Sequence, residues 1–266
     1  MKVAGKVMVV TGGGSGIGRQ VVCELVRRGA RVAAVDIRPG GLEGTAELAG
    51  AGDRVATFTV DITDRPAVDA LPARVVGALG PVDGLVNVAG IIQPFLRVAE
   101  LAPDTIQRVI DVNLHGTLHT VQAFLPGLLE RPEGHLLNVS SMGGFLPVPG
   151  QTIYGATKAA VRLLTEGLYA ELLDTPVGVT VVFPGAVSTD ITGNSGVAVP
   201  GGAEEAGARY RSTSPEDAAR TIVDGIEADR LHVFVGRDAR LMNLINRLAP
   251  LRSTHLIQRR MQDLLG

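Results

Sequence analysis

Apolar positions along the chain fall into two alternating patterns. Short runs rich in β-branched residues occur at 6–10, 31–35, 54–60, 82–88, 134–140, 177–183 and 231–235. Most are nearly continuously apolar, the pattern of strands buried on both faces of a parallel sheet. Between them, 16–29, 64–79, 104–130, 153–174 and 215–229 read as helices. Thr63–Asp64, Pro103–Asp104 and Ser214–Pro215 supply helix-start signals. Strand and helix in strict alternation predict an α/β fold: one doubly wound, mostly parallel sheet of about seven strands with helices on both faces, in a single domain over 1–266. The stretch 185–213 is rich in Gly, Ala, Ser and Thr and leaves the end of the sixth strand. A connection of that length reads as a substrate loop or lid.

Composition narrows the function classes. Hydrophobic residues make up 45% and charged residues 20%, enough for a substantial core, and a formal charge of −2 argues against a nucleic-acid partner. The lone Cys23, in an apolar run, reads as a small core residue and forms no intrachain disulfide. No signal peptide or membrane-spanning stretch is legible, so the expected location is cytoplasmic. The histidines at 115, 119, 135, 232 and 255 show no metal-ligand spacing, and no metal is expected.

The stretch "VVTGGGSGIGRQVV" joins the first strand to the first helix. Glycines there let the backbone approach a pyrophosphate, and the helix N-terminus favours the anion. Gly12, Gly16 and Gly18 stand in a G-x-x-x-G-x-G spacing, and no Gly-Lys-Ser/Thr follows, which excludes a P-loop. Asp36 ends the second strand, 18 residues after Gly18, where a carboxylate accepts hydrogen bonds from the adenosine ribose of NAD. A 2′-phosphate would be repelled there, so NAD is favoured over NADP, although Arg38 could turn toward a phosphate. In "YGATK", Tyr154 and Lys158 sit at i and i+4 of a helix, on one face. A phenol beside an ammonium is an acid–base pair, and it is also a common accident of helical surfaces.

The glycine turn, Asp36 and "YGATK" together resemble the short-chain dehydrogenase/reductase family, in its single-domain, NAD-preferring branch, from about residue 5 to 235. The resemblance implies a Rossmann-like fold. It places Gly12, Ser15, Gly16, Ile17 and Gly18 at the cofactor turn, and Asp61 and Ile62 beside the adenine. "NVAG" supplies Asn87, Ala89 and Gly90, with Val88 where the family has a second Asn. "PGAVST" supplies Pro184, Gly185, Val187 and Thr189 to the nicotinamide. The implied catalytic set is Asn113, Ser141, Tyr154 and Lys158, with Ser141 preferred to its neighbour because it lies 13 residues before the tyrosine. A free tyrosine ionises near pH 10, and an ammonium plus a positive nicotinamide would lower that by about 1–3 units. By resemblance, Lys158 also holds the nicotinamide ribose, Ser141 bonds the substrate oxygen, and Asn113 holds a water that relays the proton.

The expected activity is hydride transfer between NAD and a secondary alcohol or ketone. Ile91, Ile92, Phe95, Met142, Phe145, Leu146, Val148, Ile191, Val197 and Val199 make the substrate side apolar, with Arg97 and Asp190 the nearest charges. Tyr169 reads as helix-face packing and Tyr210 as part of the loop. The extension 236–266, basic and amphipathic, packs on the protein or a partner subunit, or meets a membrane surface. A homo-oligomer, a tetramer or alternatively a dimer, is implied by resemblance. Two alternatives remain open: an epimerase or dehydratase with tightly held NAD, and a non-catalytic NAD-binding regulator or scaffold.

Overall fold

A computed structural model describes residues 1–197 and 212–261. The strands are β1 (Val7–Thr11), β2 (Arg31–Asp36), β3 (Val55–Thr59), β4 (Gly84–Asn87), β5 (Gly134–Val139), β6 (Val177–Pro184) and β7 (His232–Val235). They form one sheet in the order β3-β2-β1-β4-β5-β6-β7, and every pairing is parallel. The chain winds outward from β1 to β3, then crosses back to place β4 on the other side of β1. That reversal opens a crevice beyond the C-terminal ends of β1 and β4, where doubly wound sheets bind ligands.

The helices are α1 (Gly16–Arg27), α2 (Pro39–Ala49), α3 (Arg65–Asp69), α4 (Leu71–Leu79), α5 (Pro103–Ile110), α6 (Gly116–Leu129), α7 (Thr152–Glu171), α8 (Ile191–Ser195), α9 (Pro215–Glu227), α10 (Arg237–Leu248) and α11 (Pro250–Met261). On one face of the sheet, Val21, Val22 and Leu25 of α1 meet Ile222, Val223 and Ile226 of α9 over Met8, Val10 and Val32. On the other, Leu71 and Val75 of α4, Val121, Phe124 and Leu128 of α6, and Leu168 of α7 cover Val9, Ala33, Leu85 and Leu136. Each such side chain stabilises the fold by about 1.5–3 kcal/mol when fully buried. Both faces are therefore dry, which is why the strands read as continuous apolar runs.

Five features differ from the sequence reading. Helix α2 was not anticipated, because Gly40, Gly41 and Gly44 erase its apolar periodicity; Pro39 in its first turn and the left-handed Gly50 at its end define it. The 64–79 segment divides into α3, capped by the Asp64 carboxylate that accepts from the Ala67 N–H at 3.2 Å, and α4. The 104–130 segment is interrupted by a π-helical turn at Asp111–His115, and the loop from 185 contains the short α8. Phe145 and Leu146 do not line an open pocket. Leu146 is buried with Met242 of α10 and Ile257 of α11, and Phe145 packs against that cluster and edge-on to Phe183. Tyr210, Val199 and residues 262–266 lie outside the described residues.

Candidate active site

The glycine turn bridges β1 and α1 at the crevice. Gly12 has φ +69°, and a Cβ there would sit 2.8 Å from the Ala89 nitrogen; one at Gly18 would overlap the Gly12 carbonyl. Side chains are excluded so that two backbone segments can approach each other and a ligand. The adjoining cleft has a volume of about 540 Å³ and is lined by Gly12, Ser15, Gly16, Ile17, Gly18, Asp36, Asp61, Ile62, Ala89, Gly90 and Thr189, together with Ile91 and Ile191. At its far end Asp36 is nearly buried. One carboxylate oxygen accepts from the Gly14 N–H and the other from the Arg38 N–H, each at 3.0 Å. A carboxylate has about four acceptor sites, so Asp36 retains capacity for ribose hydroxyls. These residues fit an extended dinucleotide.

Arg38 does not hang free. Its guanidinium bonds the Asn194 side-chain oxygen and, at 2.8 Å, the Ser15 hydroxyl, while the Asn194 amide also reaches Ser15 at 3.2 Å. A bridge thus runs from the loop after β2 to α8, across the cleft mouth. Asn194 carried no signal in the sequence.

Other predicted cofactor residues have structural tasks. Asn87 is buried. Its side-chain oxygen accepts from the Thr11 and Thr120 hydroxyls, and its amide donates to Asn138, which donates to Thr165. This polar ladder across β1, β4 and β5 is complete with Val88 in place, and Val88 packs instead against the core. Pro184 closes β6, Gly185 donates to the Val235 carbonyl, and Val187 pairs with Thr213. None of these four lines the cleft.

The four candidate catalytic residues come from three places in the chain: the π turn, the segment after β5, and α7, which carries both Tyr154 and Lys158. The π turn carries Asn113, which is fully buried; such turns recur at functional sites. Its amide nitrogen donates to the Ile91 carbonyl at 2.9 Å and to the Thr157 hydroxyl at 3.1 Å, and its side-chain oxygen accepts from the Ile91 N–H at 2.9 Å. Ser140 and Ser141 divide their roles. The Ser140 hydroxyl donates to the Lys158 carbonyl at 2.7 Å, whereas the Ser141 oxygen accepts from the Gly143 N–H at 3.0 Å and keeps its proton available. Between Ser141 and Tyr154 lies Gly143, whose added Cβ would be 3.4 Å from the serine oxygen and 3.5 Å from the tyrosine ring. Lys158 donates to the Val139 carbonyl at 3.0 Å, and its Nζ lies 5.9 Å from the Tyr154 ring centroid. Gly90 leaves room where Lys158 Nζ and the Asn113 side-chain oxygen converge.

Electrostatics correct one expectation. In the chain alone, burial pushes the Tyr154 phenol above its ordinary value, and the neighbouring Ser141 hydroxyl only partly offsets this. Lys158 is not what governs the phenol here; burial draws its own ammonium down to about 8.

A further residue escaped sequence reading. Gln93 is fully buried, and its side-chain oxygen accepts from the N–H groups of Ile153 and Tyr154 at 2.8 and 3.0 Å, capping α7 at the phenol. Gln151 donates in turn to the Gln93 carbonyl at 2.7 Å. Arg97 instead pairs with Glu100, and Asp190 caps α8 by accepting from Gly193. Cys23 is half-buried, Tyr169 is 39% exposed on α7, and His115 bonds Asp111 while His119 bonds the Ile62 carbonyl.

This geometry has known counterparts. Residues 6–198 match the short chain dehydrogenase family. The chain is 39% identical over 251 residues to the oxidoreductase SadH of Mycobacterium tuberculosis, covering 92% of this chain and 91% of that one. It is 40% identical over 187 residues to an oxidoreductase of Staphylococcus aureus, covering 70% and 80%. Among solved structures, a short-chain dehydrogenase from Novosphingobium aromaticivorans superposes with a TM-score of 0.79 at 30% identity, over 94% of this chain and 88% of that one. A short chain dehydrogenase/reductase from Burkholderia phymatum in complex with NAD superposes with a TM-score of 0.82 at 28% identity, over 93% and 96%. Fold, glycine turn and sequence relationship agree, and the chain belongs to the short-chain dehydrogenase/reductase family of oxidoreductases.

Proposed function

We propose that the protein is an NAD-dependent oxidoreductase that moves hydride between the cofactor and a secondary alcohol or ketone, with Tyr154 as general acid–base. The observation that carries this reading is the convergence of Ser141 and Tyr154 on Gly143, with Lys158 behind the phenol. Bound NAD would supply the hydride acceptor and a positive charge. In alcohol oxidation the Ser141 hydroxyl donates to the substrate oxygen, and Tyr154 takes the hydroxyl proton as hydride leaves the carbon. An ammonium with a pKa of about 8 remains about nine-tenths protonated at pH 7. Lys158 would hold the nicotinamide ribose, and the positive nicotinamide of the bound cofactor would supply the charge that draws the buried phenol toward ionisation. Both amide protons of Asn113 are committed, so its part in a proton relay falls to its oxygen atoms.

The Asp36 carboxylate favours NAD over NADP, and the NAD complex of the Burkholderia relative supports this choice. An apolar substrate is the reading tested first: Ile91 and Ile191 line the cleft and Arg97 and Asp190 are engaged elsewhere, although Asp104, Arg108 and Asp111 also border it. Incubation with NAD and a panel of secondary alcohols, followed by NADH absorbance, tests the reading. Turnover of apolar alcohols supports it, and a protein that binds NAD yet oxidises none of them would fit the regulator or scaffold instead.

A further inference from the structure

The two C-terminal helices bury one face and leave another uncovered. Met242 of α10 and Ile257 of α11 are buried with Leu146, and Met142 and Phe145 pack against them. On the opposite side of α10, Leu241, Leu244 and Leu248 are 57%, 55% and 78% exposed, and Leu251 at the start of α11 is 75% exposed. Spacings of three and four residues set Leu241, Leu244 and Leu248 in one stripe along α10, and Leu251 follows at the start of the next helix. Isolated exposed leucines are ordinary, but a contiguous apolar stripe marks an interaction surface.

The surroundings of the stripe identify its partner. Arg237, Arg240 and Arg247 are exposed along α10, and Arg252, His255 and Arg259 are exposed on α11. Asp238, the single acidic residue between 237 and 261, is turned inward, where its carboxylate accepts from the Ala186 N–H at 2.8 Å. The outer face is therefore apolar and cationic in a chain whose formal charge is −2. A second copy docked across a two-fold axis would bring this cationic face against itself. We infer that α10 and α11 dock the protein on an anionic lipid bilayer, with Leu241, Leu244, Leu248 and Leu251 at the acyl boundary and the arginines among the headgroups. A basic face beside an apolar stripe is the signature of a helix lying in the interface plane, and among the described residues no helix is long and apolar enough to cross a membrane. The inner face of α10 packs on the segment after Ser141, through Met142, Phe145 and Leu146. The inference does not depend on the proposed activity.

Co-sedimentation of the full chain with vesicles tests it. Vesicles of phosphatidylcholine with phosphatidylglycerol are expected to pellet the protein, pure phosphatidylcholine vesicles far less, and high salt should release it. Replacing Arg237, Arg240 and Arg247 together with Gln should weaken partitioning on the order of a hundredfold, since each arginine near an anionic surface contributes about 1 kcal/mol. Combined Leu241→Ser, Leu244→Ser and Leu248→Ser should weaken it at least about tenfold, since buried apolar area also drives the binding. Thermal melts of both variants should match wild type because all six positions are exposed; if the leucine variant misfolds, the arginine variant decides. No binding to anionic vesicles, equal binding to both lipids, or unchanged binding by the variants would overturn the inference. So would a solution mass that drops by a whole number of chains in the leucine variant, which would make the stripe a contact between copies.

Discussion

Gln93 and Tyr154 are 61 positions apart, yet the Gln93 side-chain oxygen accepts the backbone N–H of Tyr154 at 3.0 Å. The segment leaving β4 thereby fixes the first turn of α7, and with it the direction of the phenol. Gln93→Leu should leave two partly buried N–H groups without partners, at up to about 1–3 kcal/mol for such a loss. The expected outcome is a melting temperature lower by several degrees and a lower kcat, with NAD affinity within a fewfold. Gln93→Glu, which keeps the acceptor, should recover kcat. If Gln93→Leu lowers stability but leaves kcat intact, Gln93 only supports the fold.

Cofactor choice should follow Asp36. NAD is expected to bind at least about tenfold more tightly than NADP, ~1.4 kcal/mol, when both are titrated calorimetrically. Because Arg38 is engaged with Ser15 and Asn194, Arg38→Ala should not close that gap. Equal binding of NADP by wild type, lost in Arg38→Ala, would show that Arg38 leaves Asn194 for the 2′-phosphate.

Acid stability should depend on His135. Its Nε2 bonds the Thr180 hydroxyl, and burial draws its pKa down from 6.5 to about 3. Asp229 lies 3.7 Å from Nδ1, but that carboxylate is largely exposed and does not offset the burial. The unfolded chain takes up a proton near 6.5 while the folded chain does not, so stability present above that value is lost as pH falls toward 3. Each pH unit in that window costs up to about 1.4 kcal/mol. Thermal melts at pH 7 and pH 5 should show a smaller drop for His135→Gln than for wild type. Identical slopes would assign the acid sensitivity to other groups.

Much of the fold was legible because both faces of the sheet are buried, so Val, Ile and Leu run unbroken through the strands. The same logic missed α2, where Gly40, Gly41 and Gly44 carry no side chains to make a pattern. The π turn was equally hidden: a shift in hydrogen-bond register at Asp111–His115 leaves the apolar spacing of 104–130 almost unchanged. In the site, the glycine turn and Asp36 were readable from local spacing. Gln93 and Asn194 were not, since each acts on residues 60 or more positions away. Phe145 and Leu146 were misread because an apolar residue near a pocket and one beneath a C-terminal helix look alike in sequence.

Exposed leucines on and just beyond the long helices would be covered if the protein self-associates. Leu163 and Leu173 are 70% and 61% exposed, and Leu129 is 40% exposed at the end of α6. A symmetric homo-oligomer, a tetramer by family resemblance, would bury them. Light scattering at micromolar concentration should give a multiple of 27.7 kDa, and Leu163→Lys should reduce it. A wild-type mass of one chain would refute this.

Proton transfer by Tyr154 is tested by Tyr154→Phe, assayed for both turnover and NAD binding. Loss of nearly all turnover is expected, with NAD affinity unchanged within a fewfold, because only the hydroxyl is removed. The wild-type oxidation rate should rise with pH at an apparent pKa below about 10, although the phenol of the chain alone is held above its ordinary value. Lys158→Met should damage both turnover and binding. If Tyr154→Phe kept more than about a tenth of wild-type turnover, a barrier change under ~1.4 kcal/mol, the acid–base role would be contradicted.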